Sequence, residues 1–280
     1  MITSLVTKLK QETQLRWNGI YNYKPNIKIH LDLGNYIIKT AESHHELIEC
    51  LRLRRDVFIN EFKGENKVGL DFDKYDQYFD HLVIYSKEEK KIVGNYRLSC
   101  VNKFNHSYTG QEFDLTLLRL ERGPYLELGR ACIHKNYRKG SIITLLWRGI
   151  AEYMNASNAS LLYGCSSVKV FTAKEAALLY RYFFEKEMVS KEIYCPPQPD
   201  FKNDFYDFWT DQYRNGLTET QTQQAELLIP SLVKTYLKIG AKIASEPAFD
   251  YDFKCIDLFT VLRKKDLENS LVQKFKIQKN

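Results

Sequence analysis

Residues 124–156 read PYLELGRACIHKNYRKGSIITLLWRGIAEYMNA, and the fold is decided here. PYLELGRACIH alternates well enough for a central strand, NYRKG makes a turn, and SIITLLWRGIAEYMNA repeats apolar residues at helical spacing for about four turns. Upstream, NYIIKTA (35–41) is a short β-branched strand. Ser43, with Glu46 three residues on, forms a capping box opening an amphipathic helix from about His44 to Phe62. HLVIYS and KIVGNYRLSCV, joined by the charged EEKK, read as an antiparallel hairpin. Residues 102–124 are irregular, with EFDL (112–115) as one helical turn.

Downstream, SLLYGCSS (160–167) is a buried strand and AKEAALLYRYFFEK a helix, and CPPQPD breaks the chain. LLIPSLVKTYLKIG (227–240) reads as one helix closed by Gly240, and KCIDLFTVLR as the last strand. The order predicts an α/β (α+β) fold, with one mixed, largely antiparallel sheet flanked by helices. The predicted organisation is one domain over 35–265, an accessory segment at 1–34 and a solvated tail at 266–280.

The chain has 280 residues, 44% of them hydrophobic, with 41 Lys and Arg against 35 Asp and Glu for a net charge of +6. That much apolar material excludes a disordered chain. No apolar run reaches the ~18 residues of a spanning helix, and the N-terminus lacks a secretory pattern, so a cytoplasmic protein is expected. The six cysteines lie far apart with no C-x-x-C pair, which argues against a zinc site or a disulfide framework, and no metal is expected. Lys and Arg are spread without a dense tract, so nucleic acid is not an expected partner.

Three runs could carry chemistry. Glu127 and Arg130 sit three apart on an apolar strand, where they point to opposite faces unless the strand is bulged. An acid on such a strand is costly unless paired or used; the alternative is a residue at a sheet edge. The loop LDFDKYDQYFDH (70–81) holds Asp71, Asp73, Asp76, Asp80 and His81 among aromatics that do not suit a calcium loop. A substrate ammonium or Arg52, Arg54, Arg55 and Arg97 are better counter-charges. Finally, Arg138-Lys139-Gly140-Ser141 is a glycine-bearing turn that feeds a helix N-terminus, where a phosphate can sit.

Together these runs resemble the ornithine N-acyltransferase group, often labelled hemolysin-like, within the GNAT acetyltransferase fold, with acyl-homoserine lactone synthases as structural cousins. The resemblance rests on LRLRRDVF (51–58), DFDKYDQYFDHL (71–82), IVGNYRLS (92–99), EFDL, LELGRACIHKNYRKG (126–140), TLLWRGIAEYM (144–154), LLYGCSS (161–167) and LIPSLVKTYLKIGAKI (228–243).

It implies transfer of a long-chain, 3-hydroxylated or plain, fatty acyl group to the amino group of an amino acid, ornithine or glycine foremost. The donor would be acyl carrier protein, with its phosphopantetheine thioester as co-substrate and no bound cofactor. An acidic carrier suits Arg138, Lys139 and Arg148, with the phosphate on Arg138 to Ser141 through Gly140. A lipid product implies peripheral membrane association. By similarity to the lactone synthases, Arg54 and Phe58, Asp73 and Asp76, Arg97, and Glu127 with Arg130 match their functional elements, and Asp80 and His81 complete the acidic loop. Gly64 and Ala131 stand where those synthases carry aromatics, which favours plain N-acylation.

An amine must be neutral to attack a thioester. Glu127 is the expected base, and backbone N–H groups from Ala131, Cys132 and Ile133 to residue 134 would polarise the carbonyl. Arg97 and Arg130 would organise the acidic loop or hold the acceptor carboxylate. The competing readings are a coenzyme A-dependent acetyltransferase, a lactone-synthase-like signal synthase and a non-catalytic binding module.

Overall fold

The computed structural model describes residues 19–65, 69–101, 106–118, 123–138, 141–205, 209 and 213–267. Among them the strands follow the hydrogen-bonded order β1-β2-β3-β4-β5-β6-β9-β7, with β8 also on β9. The chain divides into two compact units, Met1–Ser99 with Leu128–Asn158, and Cys100–Glu127 with Ala159–Asn280. Strand β5 (Tyr125–Ile133) contributes its first residues to the second unit and the rest to the first.

In the first unit β1 (His30–Leu33), β2 (Tyr36–Thr40), β3 (Asp80–Ser86) and β4 (Lys91–Val101) form an antiparallel meander. The β3 side chains are almost all buried, as the apolar run HLVIYS leads one to expect. Helix α1 (His44–Arg54) starts at Ser43, whose Oγ accepts the Glu46 N–H at 3.3 Å. The Glu46 carboxylate reaches back one residue further than a capping box requires, to the Glu42 N–H at 2.8 Å. The single helix expected to Phe62 instead widens at Arg55 into a π-helix, Arg55–Phe62. Helix α2 (Ile142–Ser157) lies close to the meander: a Cβ on Gly149 would stand 2.6 Å from Ile38 and 2.9 Å from Leu82. Leu47, Leu51, Val83, Ile92 and Cys132 share this unit's core.

In the second unit β5 runs parallel to β6 (Leu161–Val168) through Tyr125↔Leu161, Leu126↔Leu162 and Glu127↔Tyr163. Strand β9 (Cys255–Arg263) pairs antiparallel with all of β6, and β7 (Lys242–Ile243) and β8 (Ala248–Asp250) pair with β9. Helix α3 (Ala173–Glu185) begins at Thr172, which caps the Glu175 N–H. The predicted helix 227–240 is two elements. Helix α4 (Glu219–Leu228) ends before Pro230, and α5 (Ser231–Lys238) starts after it. The residue before a proline is pushed out of the helical region, and Ile229 is extended at ψ 120°. Gly240 closes α5 as expected, at φ +99°. The one-turn helix expected at EFDL lies earlier, at Thr109–Gln111.

Strands β1, β7 and β8, and α4 upstream of residue 227, were not expected. The strands are short, so pairing rather than a local pattern makes them regular; α4 is polar and opens on a capping box between Thr218 and Gln221. No helix of the described residues is long and apolar enough to cross a membrane.

Candidate active site

The acidic loop and the arginines are one structure in the first unit. Arg54, on the last turn of α1, donates from Nε to Asp71 at 3.0 Å and grips both Asp76 oxygens, Nη2 to Oδ2 at 3.2 Å. Arg97, on β4, reaches both Asp73 oxygens at 2.7 Å and Asp76 Oδ1 at 3.0 Å. Arg130 Nη2 lies 3.4 Å from Asp73 Oδ2, and its Nε 3.8 Å from Asp71. Backbone N–H groups of Asp73 and Tyr75 close the loop on Asp76 and Asp73 at 2.7 and 2.8 Å. Aromatic faces complete the setting: Phe79 lies 5.2 Å from the Arg97 guanidinium and Phe58 lies 5.6 Å from that of Arg130.

Three arginines and three aspartates balance their charges, which makes burial tolerable. Burial alone would raise the Asp76 carboxyl, yet Arg54 and Arg97 hold it well below the usual carboxylate range. Asp73 is likewise lowered, against its burial, chiefly by Arg97. His81 is buried beside Asp76, and burial pushes it down to about 4, so near neutral pH it adds no charge. Arg54, Arg97 and Asp76 are internal, whereas Asp73 retains 24% of its side-chain exposure and Arg130 15%. The sequence reading of substrate contacts at Arg54 and Asp76 thus meets side chains engaged with each other. Of the arginine roles expected, bracing the acidic loop is the one Arg97 performs in this geometry.

Asp80 stands apart from this cluster. It accepts N–H bonds from Asn26 at 2.7 Å and Ile27 at 2.9 Å and the Tyr153 O–H at 2.7 Å, tying the N-terminal segment to β3 and α2. Burial raises its carboxyl despite these donors.

On β5, Arg130 takes φ +51°, and Asn95 Nδ2 lies 3.4 Å from its carbonyl. A left-handed residue interrupts the two-residue alternation, so the opposite-faces expectation for Glu127 and Arg130 no longer follows. Beside it, a Cβ on Gly129 would meet nothing within 4 Å.

Glu127 is 1% exposed. Its Oε1 accepts the Thr109 N–H at 2.6 Å, and its Oε2 the O–H of Tyr163 at 3.3 Å, the residue opposite it in the β5–β6 register. Ser107 Oγ lies 3.4 Å from the Tyr163 hydroxyl. The carboxylate is thus neither at a sheet edge nor exposed; it is paired by hydrogen bonds inside the second unit. Tyr163, Thr109 and Ser107 were not singled out in the sequence, and no local pattern marks them.

Of the backbone donors expected at 131–134, the His134 N–H is taken by the Val93 carbonyl at 2.9 Å. Ala131 and Ile133 are half-buried on β5, and Cys132 is buried in the core. Arg138 donates to the Ile133 carbonyl at 3.0 Å and pairs with Glu61 at 2.7 Å, so its charge is met within the first unit. Ser141 precedes α2 without a side-chain cap bond, and Arg148 is exposed on α2. The expectations at Lys139 and Gly140 lie outside the described residues. In the second unit Asp250, Cys255 and Asp257 bring potential ligand atoms within 4.8 Å of one another. Burial and the two acids push the Cys255 thiol up.

Residues 53–148 match the family described as acetyltransferase (GNAT) domain. An L-ornithine N(alpha)-acyltransferase of Rhodobacter capsulatus is 28% identical over 246 residues, covering 81% of this chain and 90% of that protein. Another, of Agrobacterium fabrum, is 27% identical over 246 residues, covering 82% and 81%. The solved AHL synthase LasI aligns at a TM-score of 0.48 and 13% identity, covering 88% of this chain and 98% of that one. The chain is an acyltransferase whose residues 53–148 match the acetyltransferase (GNAT) domain and which is similar over most of its length to L-ornithine N(alpha)-acyltransferases.

Proposed function

We propose that the protein forms an amide between a long-chain acyl group, delivered as the thioester of acyl carrier protein, and the α-amino group of ornithine. The main support is the likeness over 246 residues to proteins named for ornithine acylation. Glycine is the second acceptor in rank, and the lipid product would carry the enzyme to a membrane surface.

An amino group is mostly protonated near neutral pH and must lose a proton before its nitrogen attacks the thioester carbon. Glu127 takes that proton. Because the carboxylate is enclosed, the proton reaches it from a bound amine or through a neighbouring hydroxyl rather than from bulk water. The C–N bond forms and the C–S bond breaks; the nitrogen gives up its second proton as it becomes an amide, the leaving carrier thiolate takes up one proton to become the free thiol, and the other is released. Within the first unit, Arg54 and Arg97 hold the acidic loop in one shape, and Asp73 and Arg130 are the members of that ion-pair cluster that retain exposure.

The test offers purified protein long-chain thioesters of acyl carrier protein or of coenzyme A, each with ornithine or glycine, and follows free thiol and amide mass. Thiol release and an N-acylornithine from the carrier thioester are expected. Turnover confined to coenzyme A thioesters would overturn the donor assignment, and thiol release from no donor would overturn the activity.

A further inference from the structure

A carboxylate that must accept a proton deep in a protein needs donors to its anionic form, because burial alone favours the neutral acid. In the second unit those donors come from two elements. The turn at Thr109 supplies a backbone N–H at 2.6 Å, which substitutions other than proline leave in place. Strand β6 supplies the Tyr163 O–H at 3.3 Å, aimed at the other oxygen because Tyr163 is the register partner of Glu127 on a parallel strand. The tyrosine ring is buried with Phe113, Tyr125 and Phe259, which fixes where its hydroxyl can point. Ser107 Oγ, 3.4 Å from that hydroxyl, stands against it from the turn.

Another titratable group felt by this tyrosine is the Cys165 thiol on β6, which burial and Glu112 keep protonated. Burial and the Glu127 charge also push the phenol well above its ordinary range, so it stays a donor at every working pH.

We infer that Tyr163 is a positioning residue for the acyl transfer, holding Glu127 in place and in its anionic, proton-accepting form through the O–H bond to Oε2. The inference rests on the reading of Glu127 as the base. Tyr163 touches no reacting atom in this role; it acts through Glu127.

The test compares pH profiles of kcat/KM for the wild-type protein, Tyr163→Phe and Glu127→Gln with one acceptor, so that the amine's own titration is common to all three. Tyr163→Phe keeps the ring in the core and removes a hydrogen bond to a charged group. It should move the acid limb up by about one pH unit, lowering activity on the acid side of the limb and little at pH 9. A residue that only packs would shift the melting temperature and leave the limb where it was. Glu127→Gln should abolish the limb along with most of the turnover. If Glu127→Gln works as well as wild type, the reading of the base fails. If Glu127→Gln is inactive and the Tyr163→Phe limb stays put, only the present inference fails. Should Tyr163→Phe not fold, Ser107→Ala serves in its place: the Tyr163 O–H also donates to Ser107 Oγ, so its removal leaves that proton to Glu127, and a limb moved to lower pH supports the inference, while an unmoved or raised limb overturns it.

Discussion

Arg54 and Asp76 meet as a two-point ion pair with neither side chain exposed, joining the end of α1 to a loop 22 residues further along. Arg97 reaches the same carboxylate from β4 at 3.0 Å. One aspartate thus holds a helix, a loop and a strand of the first unit.

Asp76→Asn leaves two buried guanidinium groups short of a counter-charge. Breaking such a pair from one side costs about 3–5 kcal/mol. Replacing both partners, Arg54→Met with Asp76→Leu, should cost less than Asp76→Asn alone, since no uncompensated charge stays behind at that pair. Urea denaturation of the three proteins checks the order, and a double variant less stable than Asp76→Asn would contradict it.

Stability should fall in acid in two stages. The His81 pKa is about 4 in the folded protein against 6.5 for the free group, so between these values the unfolded chain binds the extra proton and unfolding gains as pH drops. Asp76 and Asp73 are depressed from 3.8, so their contribution is present above that value and is lost below it as each is forced to protonate. Denaturation midpoints at pH 8, 6, 5 and 4 should decline from about pH 6.5 downward. His81→Gln should flatten the upper stage and leave the lower one. A wild-type profile level from pH 7 to 4.5 would contradict the buried, neutral histidine.

Gly149 sets how closely α2 approaches the meander. In an open helix Gly→Ala gains about 1 kcal/mol from propensity. Here the added carbon would lie 2.6 Å from Ile38 Cγ2 and 2.9 Å from both Leu82 methyls, inside van der Waals contact. Overpacking of this kind costs about 1–3 kcal/mol, so Gly149→Ala should be destabilising, and Gly149→Val more so. In an Ile38→Ala background the Gly149→Ala penalty should shrink. Thermal melts of the single and double variants measure it.

Arg130 carries both a charge and an unusual backbone. Arg130→Ala and Arg130→Gly each remove the contacts to Asp71, Asp73 and Phe58, but only glycine adopts φ +51° without penalty. The glycine variant should be the more stable by about 1–2 kcal/mol. Equal stability would mean the backbone relaxes once the side chain is gone.

Much of the fold was legible because its signals are local. Apolar spacing over 142–157 and 173–185, alternation in the 125–133 strand, Ser43 before its helix and Gly240 after α5 act within a few residues of themselves. Misreadings arose where a neighbour outvoted the pattern. Pro230 split one apolar run into two helices, and the run expected to stay α-helical to Phe62 changes to a π-helix at Arg55.

The residue types of the candidate site could also be picked out from the chain: charged groups stranded among apolar ones, in an order resembling one family. Which charge meets which was not readable. Arg97 and Asp73 are 24 positions apart, Arg130 and Asp73 57, and Glu127 and Tyr163 36. Strand register and a left-handed residue at 130 bring them together, and neither has a period that a sequence displays. Local interactions decided which segments are helix or strand. Pairing between distant segments decided that the arginines brace the loop and that a tyrosine faces the glutamate, because buried charge is stable only beside partners that folding alone can supply.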